Sequence, residues 1–467
     1  MHRAPRYRRH GWRKWLAAVA VAAASGLAYV NWPLWKSFSP QDLITNSELK
    51  EKSLALPVRE ITAPVSKLKA YLLEDKTNPI VSLSFIFKNA GYASDNEYEQ
   101  GIAQMAAALL TEGAGQYSGQ KLKEELESRA INVSFAAQKD DFVGSMLTTS
   151  ANLGKAAEFL RLMLEAPRFD VADMARVRAQ MTEALRRQSE NPSRVLELKF
   201  AEEMYGKHPY SRNPLGRAED INKITATDLR KFAMDNFSRN NLIIGIAGDV
   251  SASDAENLVD KIFAGLPQSG QMNFVRNAEI KFDGRTKKIS KNSGQNMFMG
   301  AMRGVGRNDE DFYPLYVANY IWGGAGLTSR LSQQIREKEA LTYGIYSYLG
   351  VDDKSPLLVV AFASTADKFA KAEKLLAEET ERMQRKGVST EELLAAKNYL
   401  TASYNLRFAS IENISEILTA MQKYNLGLDF LQKRNDYVSN VRLEQVNAAT
   451  KKYFDKDYMV KIELGQF

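Results

Sequence analysis

Trp322–Gly350, WGGAGLTSRLSQQIREKEALTYGIYSYLG, joins a glycine loop, a charged helical run and a strand within one short stretch. Gly323, Gly324 and Gly326 read as helix-end and loop glycines, and no G-K-[ST] follows them as a phosphate cradle requires. RLSQQIREKE carries mixed charge at helical spacing, a solvated face on which Arg336 sits. LTYGIYSYL alternates as strands do, with Tyr343 at its start. Taken alone, each of these residues has an ordinary structural reading.

Working outward, strands and helices alternate on both sides. Before the stretch, strands are expected at Ile80–Phe87, Asn132–Ala137, Phe142–Thr148 and Leu242–Ala247. Helices are expected over 101–110, 119–129, 153–164, 171–189, 193–204 and 251–263. After it, Tyr343–Tyr348 and Leu357–Phe362 pair as strands, and Thr365-Ala366-Asp367 opens a helix as Ser150-Ala151-Asn152 does. SANLGKAAEFL aligned with TADKFAKAEKL matches Ala151 with Ala366, Ala157 with Ala372 and Glu158 with Glu373. This points to an internal duplication of two α+β units, joined near the loop residues Leu266-Pro267-Gln268-Ser269-Gly270.

A chain of 467 residues suggests about two to three domains, and 45% hydrophobic with 25% charged content belongs to folded globular protein. The net charge of +7 is largely traceable to Arg3, Arg6, Arg8, Arg9, Arg13 and Lys14, while charges elsewhere are mixed along helices. No nucleic-acid-binding stripe is read from that distribution. The basic cluster abuts an uncharged run from Trp15 to Trp35. That run is long enough to span a bilayer, with Trp15, Trp32 and Trp35 suited to its interfaces. Residues 1–36 are therefore expected to be a cytoplasmic basic stub with a membrane anchor, or a cleaved signal peptide; the body then lies outside the cytoplasm, periplasmic in a bacterium. Residues 37–66, interrupted by Pro40, Pro57 and Pro64, read as a tether. The body then divides into 67–266 and 267–467.

Four further segments occur in order with the 322–350 stretch: Asn89-Ala90-Gly91, Gly101-Ile102-Ala103-Gln104-Met105-Ala106-Ala107-Ala108, Gly206-Lys207-His208-Pro209-Tyr210-Ser211-Arg212 and Phe263-Ala264-Gly265-Leu266-Pro267. As a set, over about residues 60–467, they resemble the pitrilysin/insulinase-like (inverzincin) zinc metallopeptidases. The resemblance implies two homologous domains, each a sheet carrying helices, closing like half of a clam shell. It also implies that Arg336 binds substrate backbone and that Tyr343 donates to the oxyanion of the tetrahedral intermediate. Gly323, Gly324 and Gly326 would let peptide approach closely. A guanidinium fork and a phenol donor suit those tasks.

The family's H-x-x-E-H, two zinc-binding histidines and a glutamate base, is not preserved. The corresponding positions are Gln104, Ala107 and Ala108; Glu183 is the counterpart of the third ligand and reads by itself as a solvated glutamate. Gln104 and the alanines read most simply as core packing. The histidines are His2, His10 and His208, cysteine is absent, and no two histidines lie at i and i+4. His208, before Pro209, is expected to make turn hydrogen bonds. The expectation is a chain with no metal or cofactor of its own: the zinc-less, substrate-binding subunit of a heterodimer. Its partner would be a homologous H-x-x-E-H chain carrying zinc, and peptides or envelope proteins would be hydrolysed only by the pair. The alternative is a non-enzymatic assembly or peptide-binding protein on the same fold.

Overall fold

The computed structural model describes residues 56–467. Its strands are β1 (Val58–Thr62), β2 (Lys69–Glu74), β3 (Ile80–Phe87), β4 (Gly113–Ala114), β5 (Tyr117–Ser118), β6 (Asn132–Ala137), β7 (Phe142–Thr149), β8 (Leu242–Gly248), β9 (Thr286–Ser290), β10 (Asn296–Arg303), β11 (Gly344–Gly350), β12 (Leu357–Ser364) and β13 (Val460–Gly465). They form a six-stranded sheet, β1-β2-β8-β3-β7-β6, a five-stranded sheet, β11-β12-β10-β13-β9, and the small β4-β5 ribbon. Read from the other end, the second sheet repeats the first without β1. In both, one parallel pair (β2 with β8, β13 with β9) is followed by antiparallel neighbours. In each half the terminal hairpin leads into two long helices, Leu153–Glu165 and Val171–Glu190 in the first, Ala366–Lys386 and Thr390–Ala402 in the second. The architecture is α+β with two similar halves in one compact unit.

Apolar residues on one face of each sheet make its main core. In the first, Leu83, Phe85, Phe87, Phe142 and Ile244 pack with Met105 of the helix Ile102–Leu109 and with Phe159 and Phe263. In the second, Phe298, Leu358, Val360 and Phe362 pack with Trp322, Phe369 and Phe454.

The opposite faces are covered by exchange. The helix Ile411–Lys423, late in the chain, lays Ile414, Leu418 and Met421 on Leu73 and Ala247 of the first sheet. The earlier helix Pro192–Tyr205 lays Leu196, Phe200 and Met204 on Met299, Ile462 and Leu464 of the second. Each fully buried leucine contributes about 2 kcal/mol. Gly245 on β8 permits the first contact, because a Cβ there would lie 2.4 Å from the Ser415 carbonyl oxygen. Beside it, the hydroxyl of Ser415 bonds those of Ser82 and Ser84 at 2.9 and 2.7 Å, so these buried polar groups find partners.

The hairpin loops 138–141 and 351–356 meet between the halves. Lys139 pairs with Asp352, the Asp353 N–H donates to Asp140 Oδ2 at 3.1 Å, and Lys423 Nζ lies 2.6 Å from Asp141 and 3.2 Å from Asp353. The Tyr210 hydroxyl donates to Asp140 and accepts from the Lys354 N–H at 2.9 Å. His208 turns the chain into this junction: its Nδ1 accepts from the Tyr210 N–H at 3.2 Å, and its Nε2 bonds the Arg276 carbonyl at 2.9 Å.

The structure changes two expectations. Val58–Thr62, assigned to the tether, is an edge strand paired along its length with β2; Pro57 and Pro64 bracket it, outside the ladder where proline is tolerated. A division into 67–266 and 267–467 separates two helices from the sheets they cover, since sequence order does not dictate which sheet a helix packs on. The anchor or signal segment, and tether residues 37–55, lie outside the described residues. No described helix is long and apolar enough to cross a membrane.

Candidate functional site

The segment that carries Arg336 and Tyr343 is irregular. Tyr320–Gly324 and Ser332–Lys338 are π-helical, with a 3-10 turn, Gly326–Thr328, between them. Such i→i+5 turns are uncommon and need tertiary support. Arg330 supplies it: its Nε and Nη2 each lie 2.6 Å from the Glu392 carboxylate. Nη1 reaches the buried Glu379 at 3.4 Å, and Nη2 also reaches the Gly387 carbonyl at 3.1 Å. Burial pushes the Glu379 carboxyl up from its ordinary value, and Arg382 and Arg330 oppose that shift. Sequence reading missed Arg330, because RLSQQIREKE looks like one solvated face. The expected helix stops at Ala340, which takes the left-handed conformation (φ 50°). Its N–H bonds the Arg336 carbonyl at 3.1 Å, and the Leu341 N–H bonds the Ile335 carbonyl at 3.0 Å, closing a helix C-terminus.

Tyr343 follows this turn. Its side chain is 85% exposed and makes no hydrogen bond or ring contact among the described residues. Arg336 is half-buried, and its guanidinium has one ion pair among the described residues, to the neighbouring Glu337 at 3.4 Å. Both donors are open to an incoming group. Beyond Tyr343, β11 is an edge strand whose outward side chains, Tyr346 and Tyr348, are 39% and 42% exposed. Their rings stack with centroids 6.5 Å apart. Burial pushes both phenols above their ordinary value although each retains accessible surface.

The three glycines differ. Gly323 is buried, and a Cβ there would meet the Ser347 hydroxyl at 2.5 Å, so its missing side chain serves packing against β11. Gly324 and Gly326 are exposed, and Gly326 adopts φ 58° with nothing near its would-be Cβ.

In the other half, the helix Ile102–Leu109 holds the positions of the lost zinc motif. Ala107 is buried with Met105 and Ala106, but Gln104 is half-exposed and Ala108 exposed. For those two the core-packing expectation fails, because positions i and i+4 share the outward face. Buried Asp95 caps this helix, accepting from the Gly101 and Ala103 N–H groups at 2.8 and 3.3 Å. Burial pushes its carboxyl up to about 8, against the effect of those bonds.

Glu183, on Val171–Glu190, is claimed by Arg186 and Arg187, each 2.8 Å away, and their hydrogen bonds hold its carboxyl down to about 2. No group of three or more His, Cys, Asp or Glu side chains among the described residues is arranged to hold a metal ion. A glutamine amide, two methyl groups and an arginine-bound carboxylate do not fit zinc, which takes about three nitrogen, sulfur or carboxylate ligands.

Residues 70–217 match the family described as insulinase (peptidase family M16), and residues 223–400 match the peptidase M16 inactive domain. An uncharacterized zinc protease, YmxG of Bacillus subtilis, is 23% identical over 394 residues, 83% of this chain and 94% of that one. A non-peptidase homolog YmxG of Helicobacter pylori is 24% identical over 391 residues, 82% of this chain and 88% of that one. Among solved structures, a peptidase M16 inactive domain from Pseudomonas fluorescens has TM-score 0.82 at 28% identity, covering 88% of this chain and 98% of that one. A Helicobacter pylori protease has TM-score 0.78 at 18% identity, over 87% of this chain and 99% of that one, a likeness of fold.

Proposed function

Because the chain belongs to the insulinase-like peptidase family M16, with a zinc motif replaced at every position, we propose that it is the substrate-binding subunit of a two-chain metallopeptidase. The observation that carries this reading is Tyr343, whose phenol is exposed and without an internal partner although the zinc motif is gone. Its hydroxyl is therefore free to donate to a bound peptide. A homologous H-x-x-E-H chain would bring the zinc and its activated water. This chain's part is to hold and polarise: the Arg336 fork binds peptide carbonyls, the Tyr343 hydroxyl donates to the developing oxyanion, and Gly324 and Gly326 leave room for the peptide backbone. Peptides or envelope proteins are the substrates we assign. The basic flank before Trp15 supports a body anchored outside the cytoplasm.

A peptide-binding or assembly protein without turnover is the second reading, favoured by the replaced zinc positions. Co-purification of the native protein, metal analysis and peptidase assays separate the two. In an active pair, Tyr343→Phe should lower kcat about a hundredfold, the usual effect of deleting one oxyanion donor. Arg336→Ala should act at least partly on KM, and both variants should still associate. Full activity of both variants would exclude the half-site; a native complex with no zinc chain and no turnover would favour the second reading.

A further inference from the structure

On the second half, away from Arg336 and Tyr343 in sequence and in their contacts, three arginines gather among aromatic rings. Arg434, on the helix Phe430–Ser439, is only 7% exposed. Its Nη1 donates to the Leu400 carbonyl at 2.6 Å and to Asn435 Oδ1 at 3.1 Å, and its guanidinium carbon lies 4.1 Å from the Tyr404 ring centre. Arg307 stacks on Phe312 at 4.2 Å and Phe430 at 5.4 Å, and its Nη2 donates to the Tyr313 hydroxyl at 3.0 Å. Arg407 is exposed in the segment Ser403–Phe408. The charges of all three reach the Tyr404 phenol.

No carboxylate pairs with these guanidinium groups among the described residues. Asp311 is taken by Lys452 at 2.7 Å, Asp429 pairs with Lys433, and Asp436 is exposed. The end of the helix Thr390–Ala402, through Leu400, offsets part of the Arg434 charge as a helix C-terminus does. It reaches only Nη1; the Nε and Nη2 groups of Arg434 donate to nothing among the described residues. Burial pushes the Arg434 guanidinium below its ordinary value, and Arg407 pushes it the same way, so the fold works against this charge. A buried charge is stable when paired. The Tyr313 hydroxyl accepts from Arg307, which leaves its own hydrogen to donate. Exposed Tyr437 packs tilted against Tyr313, ring centres 5.4 Å apart, and rims the cluster.

We propose that Arg307, Arg407 and Arg434, with the Tyr313 hydroxyl, form a recognition site for an oxyanion, a carboxylate or phosphate group, entering past the aromatic rim. Guanidinium forks bind such groups through paired, charge-assisted hydrogen bonds. The site needs neither a zinc partner nor turnover, so it stands whether or not the peptidase reading does.

The test is titration of the full chain, by calorimetry and thermal shift, with inorganic phosphate, N-acetylphenylalanine and N-acetylphenylalanine amide, against sodium chloride at matched ionic strength. Saturable binding of one or both anions but not of the amide is expected. Phosphate binding alone assigns the site to phosphate groups; tighter binding of N-acetylphenylalanine assigns it to carboxylates on an apolar body. Arg434→Met and Arg307→Met should each weaken binding at least about tenfold, the effect of one charged hydrogen bond. Exposed Arg407→Gln, which leaves the packing alone, should weaken it less and keeps the test valid if the buried variants unfold. No response beyond chloride, or binding unchanged in all three variants, would overturn the assignment.

Discussion

Gly245→Ala tests the exchange of helices between the halves. A methyl group on Gly245 would sit 2.4 Å from the Ser415 carbonyl oxygen, 2.9 Å from Leu418 Cβ and 3.0 Å from the Thr419 nitrogen. Two of these atoms are helix backbone and the third is fixed to it, so relief requires the whole helix Ile411–Lys423 to retreat by about 1 Å. Such a gap forfeits a quarter to a half of each affected dispersion contact, and overpacking of this kind costs about 1–3 kcal/mol. Retreat also stretches the bonds from Ser415 to Ser82 and Ser84, and from Gln422 Nε2 to the Ile244 carbonyl at 2.6 Å, each worth about 1 kcal/mol. The sum is about 4–6 kcal/mol, a large part of the roughly 5–15 kcal/mol that holds a domain folded. Equilibrium urea unfolding measures it. Gly344→Ala, with no atom near its would-be Cβ, is the control and should stay within about 0.5 kcal/mol of the parent. If Gly245→Ala also stayed within about 0.5 kcal/mol, with an unchanged denaturant slope, the packing of this helix on β8 would be refuted.

Three further outcomes are expected. Arg330→Met should destabilise by about 1.5–3 kcal/mol, because it removes the paired bonds to Glu392 and leaves the buried Glu379 only Arg382, 3.1 Å away; urea unfolding unaffected by the change would show that Arg330 does not clamp the segment. Ala340→Gly should stabilise by about 0.5–1 kcal/mol, relief of the left-handed strain exceeding the entropy glycine loses, and a lowered melting temperature would contradict it. Asp95 has a folded pKa of about 8, raised by burial above an unfolded value near 4. Its protonation therefore stabilises the fold below about pH 4, and that contribution is lost as pH rises through about 8. Asp95→Asn, which cannot ionise, should gain on the parent between pH 5 and pH 8 by on the order of a few kcal/mol in denaturant titrations; parallel pH profiles would show that Asp95 stays ionised throughout.

The sequence by itself determined which residues stand at the family's zinc positions. Counting histidines and cysteines and finding Gln104, Ala107 and Ala108 at the zinc positions depends on no coordinates, and a short motif carries the proposal at Arg336 and Tyr343. Half of the described strands and most of the described helices of the first half were legible too, since periods of 2 and 3.6 are local properties; Ile80–Phe87 and Asn132–Ala137 match their strands end for end. Only the tertiary structure decided what each face packs against. Nothing in the apolar stripe of Ile411–Lys423 names the sheet formed some 170 residues earlier, and Val58–Thr62 became a strand only because β2 offered an edge. Gly323 and Gly326 are alike in sequence, yet Ser347 fills the space beside the first and nothing lies beside the second. Arg330 reads as part of a solvated face because a side chain's burial and partners are set by residues distant in the chain. Charge type is written in the sequence, whereas its environment, which sets its cost and its use, exists only once the chain has folded.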